Sequence, residues 1–283
     1  MNRRGKKRVD DLKDSANRND DYGSDQPLED SSGKWRKSKE EEDTFPPINF
    51  NLIRSEKSGL EPDKNLVTIV EPKSIAAEQY RSLRTKIEQA MKRKGCKTFQ
   101  LTSSTRGEGK TLTSVNLALV MAQQVKKKTI LVDTDLRKPR VHSALGMEGK
   151  LGLSDILQDN LRIENITIKS CYNDLYVIPA GKTPKNPSEL IGSQRMQNFI
   201  NRLRQDFDCI FFDSPPIIPV ADPNILCSMV DGVIYVLRAQ QTPREALDKA
   251  LEIIDTKNIL GFVLNAVQAT FSNRYYYQYY YYD

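Results

Sequence analysis

The run Ser104-Thr105-Arg106-Gly107-Glu108-Gly109-Lys110-Thr111 constrains the fold of this chain more than any other stretch, because an apolar segment (98–103) precedes it and a helical pattern (110–126) follows it. A strand, a glycine-containing loop and a helix start, in that order, make a phosphate-binding loop. The glycines let backbone N–H groups close around phosphate oxygens, and the helix N-terminus adds positive potential. In such a loop Lys110 reaches the β- and γ-phosphates and the Thr111 hydroxyl can ligate Mg²⁺. Ser104 stands where the strict pattern has its first glycine.

Around this loop short apolar runs alternate with helical patterns. Strands are expected at 98–103, 129–133, 175–179, 208–213, 232–237 and 259–265, with helices near 110–126, 194–206 and 243–256. Such alternation implies right-handed βαβ crossovers and therefore an α/β fold: a mostly parallel sheet flanked by helices, of the P-loop NTPase type. Ligands of these sheets sit beyond the carboxyl ends of the strands. An amphipathic helix runs from the N-cap candidate Ser74 to the C′ candidate Gly95, with Ala76, Tyr80, Leu83, Ile87 and Met91 at three- and four-residue steps.

Two of the strands end in carboxylates. Ile130-Leu131-Val132-Asp133-Thr134-Asp135-Leu136-Arg137 carries Asp133 and Asp135 two residues apart, a spacing that points both to one side of an extended chain. Ile210-Phe211-Phe212-Asp213-Ser214-Pro215-Pro216 places Asp213 where a Walker B acid holds Mg²⁺ directly or through water. Three acids around one metal suffice for phosphoryl transfer: Thr111, Asp135 and Asp213 are the expected metal ligands, and Asp133 or Asp135 the base that takes the acceptor's proton. With Lys110 these two aspartates form the expected catalytic set. The expected ATP-binding set is Thr105, Arg106, Gly107, Glu108, Gly109, Lys110, Thr111 and Asn265, the last at the end of the final strand candidate.

Outside this region the chain reads differently. Residues 1–65 mix acids and bases with Ser, Asn, Gly and Pro, show no apolar periodicity and are expected to form a disordered extension. Residues 269–283 are expected to form a flexible tail in which Tyr275, Tyr276, Tyr277, Tyr279, Tyr280, Tyr281 and Tyr282 offer phenols on every side. The four cysteines lie far apart with one histidine in the chain, which argues against a zinc site or a disulfide framework. No apolar run is long enough to cross a bilayer, so a cytoplasmic protein is expected. The formal charge of +6 is weak ground for any particular partner. Glu78, Arg81 and Arg84 lie on one flank of the 74–95 helix; the second arginine reads as spare, as an interface contact would be.

Together these residues resemble the bacterial tyrosine kinases tied to capsule and exopolysaccharide export. The resemblance covers the chain from about Ala76 onward and rests on Glu78-x-x-Arg81-x-x-Arg84, the phosphate loop, Asp133-Thr134-Asp135-Leu136-Arg137, Asp213-Ser214-Pro215-Pro216 and the tyrosine cluster. Lesser matches are Gly181-x-x-Pro184-x-Asn186-Pro187-x-Glu189-Leu190, Ala221-Asp222 and Val230-Asp231-Gly232. It implies an ATP- and Mg²⁺-dependent kinase domain over 66–268 that assembles into a ring-like homo-oligomer through the Glu/Arg helix. The seven tail tyrosines would be phosphorylated in trans. It also implies a separate membrane-embedded chain-length determinant that activates the kinase and recruits it to the inner face of the membrane, and a cognate phosphatase; no nucleic acid is expected. Two rival readings remain at this stage. One is a partitioning ATPase of the same fold, against which Thr105 stands where that branch has an additional lysine; the other is a nucleotide-gated scaffold without catalysis.

Overall fold

The computed structural model describes residues 44–56, 60–124, 127–159 and 161–268. Its strands are β1 (Arg54–Glu56), β2 (Thr98–Ser103), β3 (Thr129–Asp133), β4 (Ile168–Ser170), β5 (Tyr176–Ile178), β6 (Cys209–Asp213), β7 (Gly232–Arg238) and β8 (Ile259–Asn265). They form one sheet in the order β1-β4-β5-β3-β6-β2-β7-β8. All neighbours pair in parallel except β4 and β5. The four longest helices are α1 (Ile75–Lys94), α2 (Lys110–Ala122), α3 (Gln194–Asp206) and α4 (Arg244–Ile253).

Strands β2, β3 and β6 are buried along their whole length. Their alternating side chains therefore feed two cores. Phe99, Leu101, Leu131 and Phe211 join Val115, Ala118 and Leu119 of α2 and Ile87 of α1 on one face. Ile130, Val132, Ile210 and Phe212 join Met196, Phe199, Ile200 and Leu203 of α3 on the other. Helix α1 begins where expected: the Ser74 hydroxyl accepts from the Ala77 N–H at 3.2 Å, and Gly95 closes the helix at φ +68°, a conformation side chains avoid.

The structure departs from the sequence reading at the amino end. Residues 44–56 and 60–65, expected within a disordered extension, are placed. A few large side chains anchor them without helical or strand periodicity: Phe45 meets Phe199 with centroids 6.0 Å apart, and Phe50 meets both Tyr176 and Phe207 at 5.5 Å. Ile48 is buried, and its N–H donates to Asp206. β1 then extends the sheet beyond β4.

Candidate active site

The central strands in the order β3-β6-β2 carry their carboxyl ends to one edge of the sheet. There β3 and β6 run in register, with Asp133 opposite Asp213. After β2 the chain turns through Thr105–Gly109 into α2. Gly107 and Gly109 adopt φ +84° and +90°, conformations a side chain would strain. Gly109 is constrained twice over, because a Cβ there would lie 1.9 Å from the Asn265 amide nitrogen. That amide donates to the Glu108 carbonyl at 3.0 Å, which joins the end of β8 to the phosphate loop.

The acids divide into distinct environments. Thr111 and Ser114, successive on one face of α2, donate to the two oxygens of Asp213 at 2.7 and 2.8 Å. Ser114 was not among the expected site residues; its signal was its spacing, four residues after Lys110 on the helix that the loop opens. Lys110 Nζ lies 3.3 Å from Asp135 Oδ2. Burial by itself would lower the pKa of this lysine, but Asp213, Asp135 and Asp133 together raise it. Asp133 is fully buried and accepts backbone N–H groups from Asp135, Arg140 and Val141. Burial, aided by Asp213, pushes its pKa up to about 8 despite those donors. Asp213 is raised as well, by burial first, with Lys110, Thr111 and Ser114 opposing the shift.

Asp133 is taken by backbone donors, Asp135 by Lys110 and Asp213 by two hydroxyls, so the three carboxylates have different partners. Asp133 and Asp135 also differ in access: Asp135 lines the groove beside the phosphate loop, while Asp133 lies behind it.

That groove is lined by Arg106, Gly107, Gly109, Lys110, Thr111, Asp135 and Asn265, together with Lys138, Arg140 and Arg238. Glu108 and Thr105, expected with the nucleotide-binding residues, do not line it. Glu108 is 3% exposed and its carboxylate accepts the Thr105 N–H at 2.9 Å. Arg137 reaches from the β3 motif to Asp222, with Nε–Oδ2 at 2.8 Å and Nη2–Oδ1 at 3.2 Å, and donates to Ser188. The lesser motifs around Pro187 and Asp222 are thereby joined to the site. On α1, Glu78 and Arg81 pair with each other at 2.6 Å, and Arg81 also donates to the Pro72 carbonyl. Arg84, expected to be spare, donates to the Val120 carbonyl at 3.2 Å and lies 3.5 Å from Glu88. The seven tail tyrosines lie outside the described residues. Among those described, no helix is long and apolar enough to cross a membrane.

A family model described as an AAA domain matches residues 97–260. The chain is 39% identical over 209 residues to the tyrosine-protein kinase YwqD of Bacillus subtilis, covering 73% of this chain and 88% of that one. It is 31% identical over 210 residues to the putative tyrosine-protein kinase CapB of Staphylococcus aureus, covering 74% and 92%. Among solved structures, the chimerical protein CapA2B2 superposes with a TM-score of 0.69 at 30% identity, over 75% of this chain and 94% of that one. The phosphate loop and both carboxylate strands fall inside residues 97–260 matched by the family model.

Proposed function

The chain belongs to the bacterial tyrosine-protein kinase family, and on that premise we propose that it moves the γ-phosphate of ATP onto tyrosines of its own carboxyl-terminal cluster, in trans, within a homo-oligomer. The observation that carries this reading is the meeting of Lys110, Thr111 and Asp135 on one groove edged by a glycine loop and the start of α2, with the buried Asp213 accepting from Thr111 behind it. Such a site performs phosphoryl transfer mainly by positioning and charge neutralisation.

Backbone N–H groups of Arg106 to Thr111 would cradle the β- and γ-phosphates, with Lys110 turning from Asp135 to the γ-phosphate oxygens. The acceptor phenol oxygen then forms a bond to γ-phosphorus while the bond to the β,γ-bridging oxygen breaks and ADP leaves. The phenol proton passes to a carboxylate. Asp135 suits that task better than Asp133, since it lines the groove and Asp133 is held behind it by three backbone donors. The donors present fit Mg²⁺, a hard cation that takes oxygen ligands: the Thr111 hydroxyl with Asp213 behind it, and Asp135. When bound, Mg²⁺ would neutralise charge on the β- and γ-phosphate oxygens. Asp213 would hold the Thr111 hydroxyl, and Ser114 would hold Asp213.

The wider role we propose is control of capsule or exopolysaccharide polymerisation and export. A separate membrane-embedded chain-length determinant would act as activator and recruit the kinase to the inner face of the membrane, and a phosphatase would reset the tail. The ring would form through Glu78, Arg81 and Arg84. Incubation of the purified protein with labelled ATP and Mg²⁺, with and without such an activator, followed by phosphotyrosine mapping, tests this. Label on Tyr275–Tyr282 supports the kinase; free phosphate without label would support a partitioning ATPase, and neither product a scaffold.

A further inference from the structure

Glu108 places a carboxylate inside a loop built to receive phosphates, where an unengaged negative charge would oppose the ligand. Both of its oxygens are engaged. Oε2 accepts the Thr105 N–H at 2.9 Å, closing the loop on itself in the manner of one half of a capping box. Oε1 accepts the hydroxyl of Thr242 at 2.5 Å, from a residue 134 positions away in the sequence. Thr242 is itself fixed, because its oxygen accepts the Arg238 N–H at 2.9 Å. Arg238 adds a second tie from the same turn, its Nη1 donating to the Gly107 carbonyl at 2.9 Å. The turn between β7 and α4 thus holds the phosphate loop at two points: a side chain on Glu108 and a guanidinium on Gly107.

We propose that Thr242 and Glu108 form a latch that positions the phosphate loop for ATP, with Thr242 acting as a positioning residue that touches no substrate itself. The latch turns the Glu108 carboxylate away from the groove and holds the Thr105–Gly109 backbone in its glycine-dependent shape before nucleotide arrives. Binding energy is then not spent on ordering the loop. The proposal rests on the kinase reading for its consequence in catalysis. Nucleotide affinity, however, can be measured without any tyrosine transfer.

The test is a double-mutant cycle on the full chain, read by titration with a fluorescent ATP analogue and by thermal unfolding. Thr242→Val keeps the shape of the side chain and removes the hydroxyl. Glu108→Ala removes the acceptor. Thr242→Val should weaken nucleotide binding by about tenfold, roughly the loss of one charge-assisted hydrogen bond. Glu108→Ala also removes the acceptor of the Thr105 N–H and should lose at least as much. The double variant should lose no more than Glu108→Ala alone, since the bond the two residues share is broken only once. Thr242→Ser should bind like the unchanged protein. In the kinase assay the loss from Thr242→Val should fall on KM for ATP, with kcat retained at saturation. A double variant that binds about tenfold more weakly than Glu108→Ala alone would overturn the latch. So would Thr242→Ser binding as weakly as Thr242→Val, or Thr242→Val binding as tightly as the unchanged chain. If binding behaves as expected while no tyrosine is labelled, the latch stands and the kinase reading fails.

Discussion

Lys110 is surrounded by acids: it pairs with Asp135, lies near Asp213 and Asp133, and its side chain is 14% exposed. Replacing it with methionine removes the charge that meets the γ-phosphate, so tyrosine labelling should fall by at least about a hundredfold. Circular dichroism should still report a folded chain, because the side chain lines the groove and methionine matches its length. Undiminished labelling by purified Lys110→Met would sink the site assignment. Asp231 supports the opposite edge of the sheet. Its Oδ2 accepts the Lys97 N–H, the Thr98 N–H and the Thr98 hydroxyl at 2.7–2.9 Å, and Arg204 lies 2.8 Å from Oδ1. Burial alone would raise its pKa, but these donors outweigh burial and hold it below the usual carboxylate range. A folded-state pKa below the unfolded one means that the carboxylate stabilises the fold above the unfolded value of about 4, and that this is lost as pH falls through the folded value. Asp231→Asn should therefore cost about 1–3 kcal/mol at pH 7 and distinctly less at pH 3 in urea unfolding. An equal cost at both pH values would contradict the charge argument.

At the scale of elements, α1 and α2 are welded by polar side chains as well as by packing. Asn116 of α2 accepts the N–H and hydroxyl of Thr68 at 3.1 and 2.9 Å and donates to the Asn65 and Leu112 carbonyls. Burial raises the pKa of the half-buried Tyr80 phenol of α1, with Thr113 and Asn116 of α2 opposing the shift, and Arg84 caps the Val120 carbonyl. Replacing Arg81 and Arg84 together with alanine should shift sedimentation toward smaller species while changing nucleotide affinity by less than about threefold. Loss of the Val120 contact should cost about 1 kcal/mol of stability. Assembly at the original size would count against an interface on this flank. Which elements the sequence revealed follows from the same physics. β2, β3 and β6 were legible because strands buried on both faces read as short, unbroken apolar runs. β1 and β4 were not, being three-residue strands with no room for a period. The loop and its three aspartates were legible because each ends or directly follows an apolar strand; Thr242 and Asn116 were not, because one polar residue whose partner lies 134 or 48 positions away leaves no local trace. For the same reason the separate partners of Asp133, Asp135 and Asp213 could not be read from their spacing.

On the scale of the whole molecule, charge decides how the product of the reaction should act on the assembly. The chain carries a formal +6. Each phosphotyrosine adds about −1.5 to −2, so modification of all seven tail tyrosines would add about −10 to −14 and reverse the net sign. A neighbour's groove is edged by Lys110, Lys138, Arg140, Arg106 and Arg238, which would attract such a tail, but it also holds Asp135, with Asp133 and Asp213 buried behind it, and must vacate for the next ATP. Repulsion among many like-charged tails gathered on one ring grows with every copy, whereas attraction to the groove is limited to one tail per site. If the chain forms the proposed ring, full phosphorylation should loosen it and drive the tails from the sites. Analytical ultracentrifugation of phosphorylated and phosphatase-treated protein at equal concentration should give a smaller weight-average sedimentation coefficient for the phosphorylated form, and the gap should narrow as salt screens the tails. Identical sedimentation of the two forms at low salt would reject charge as the release mechanism.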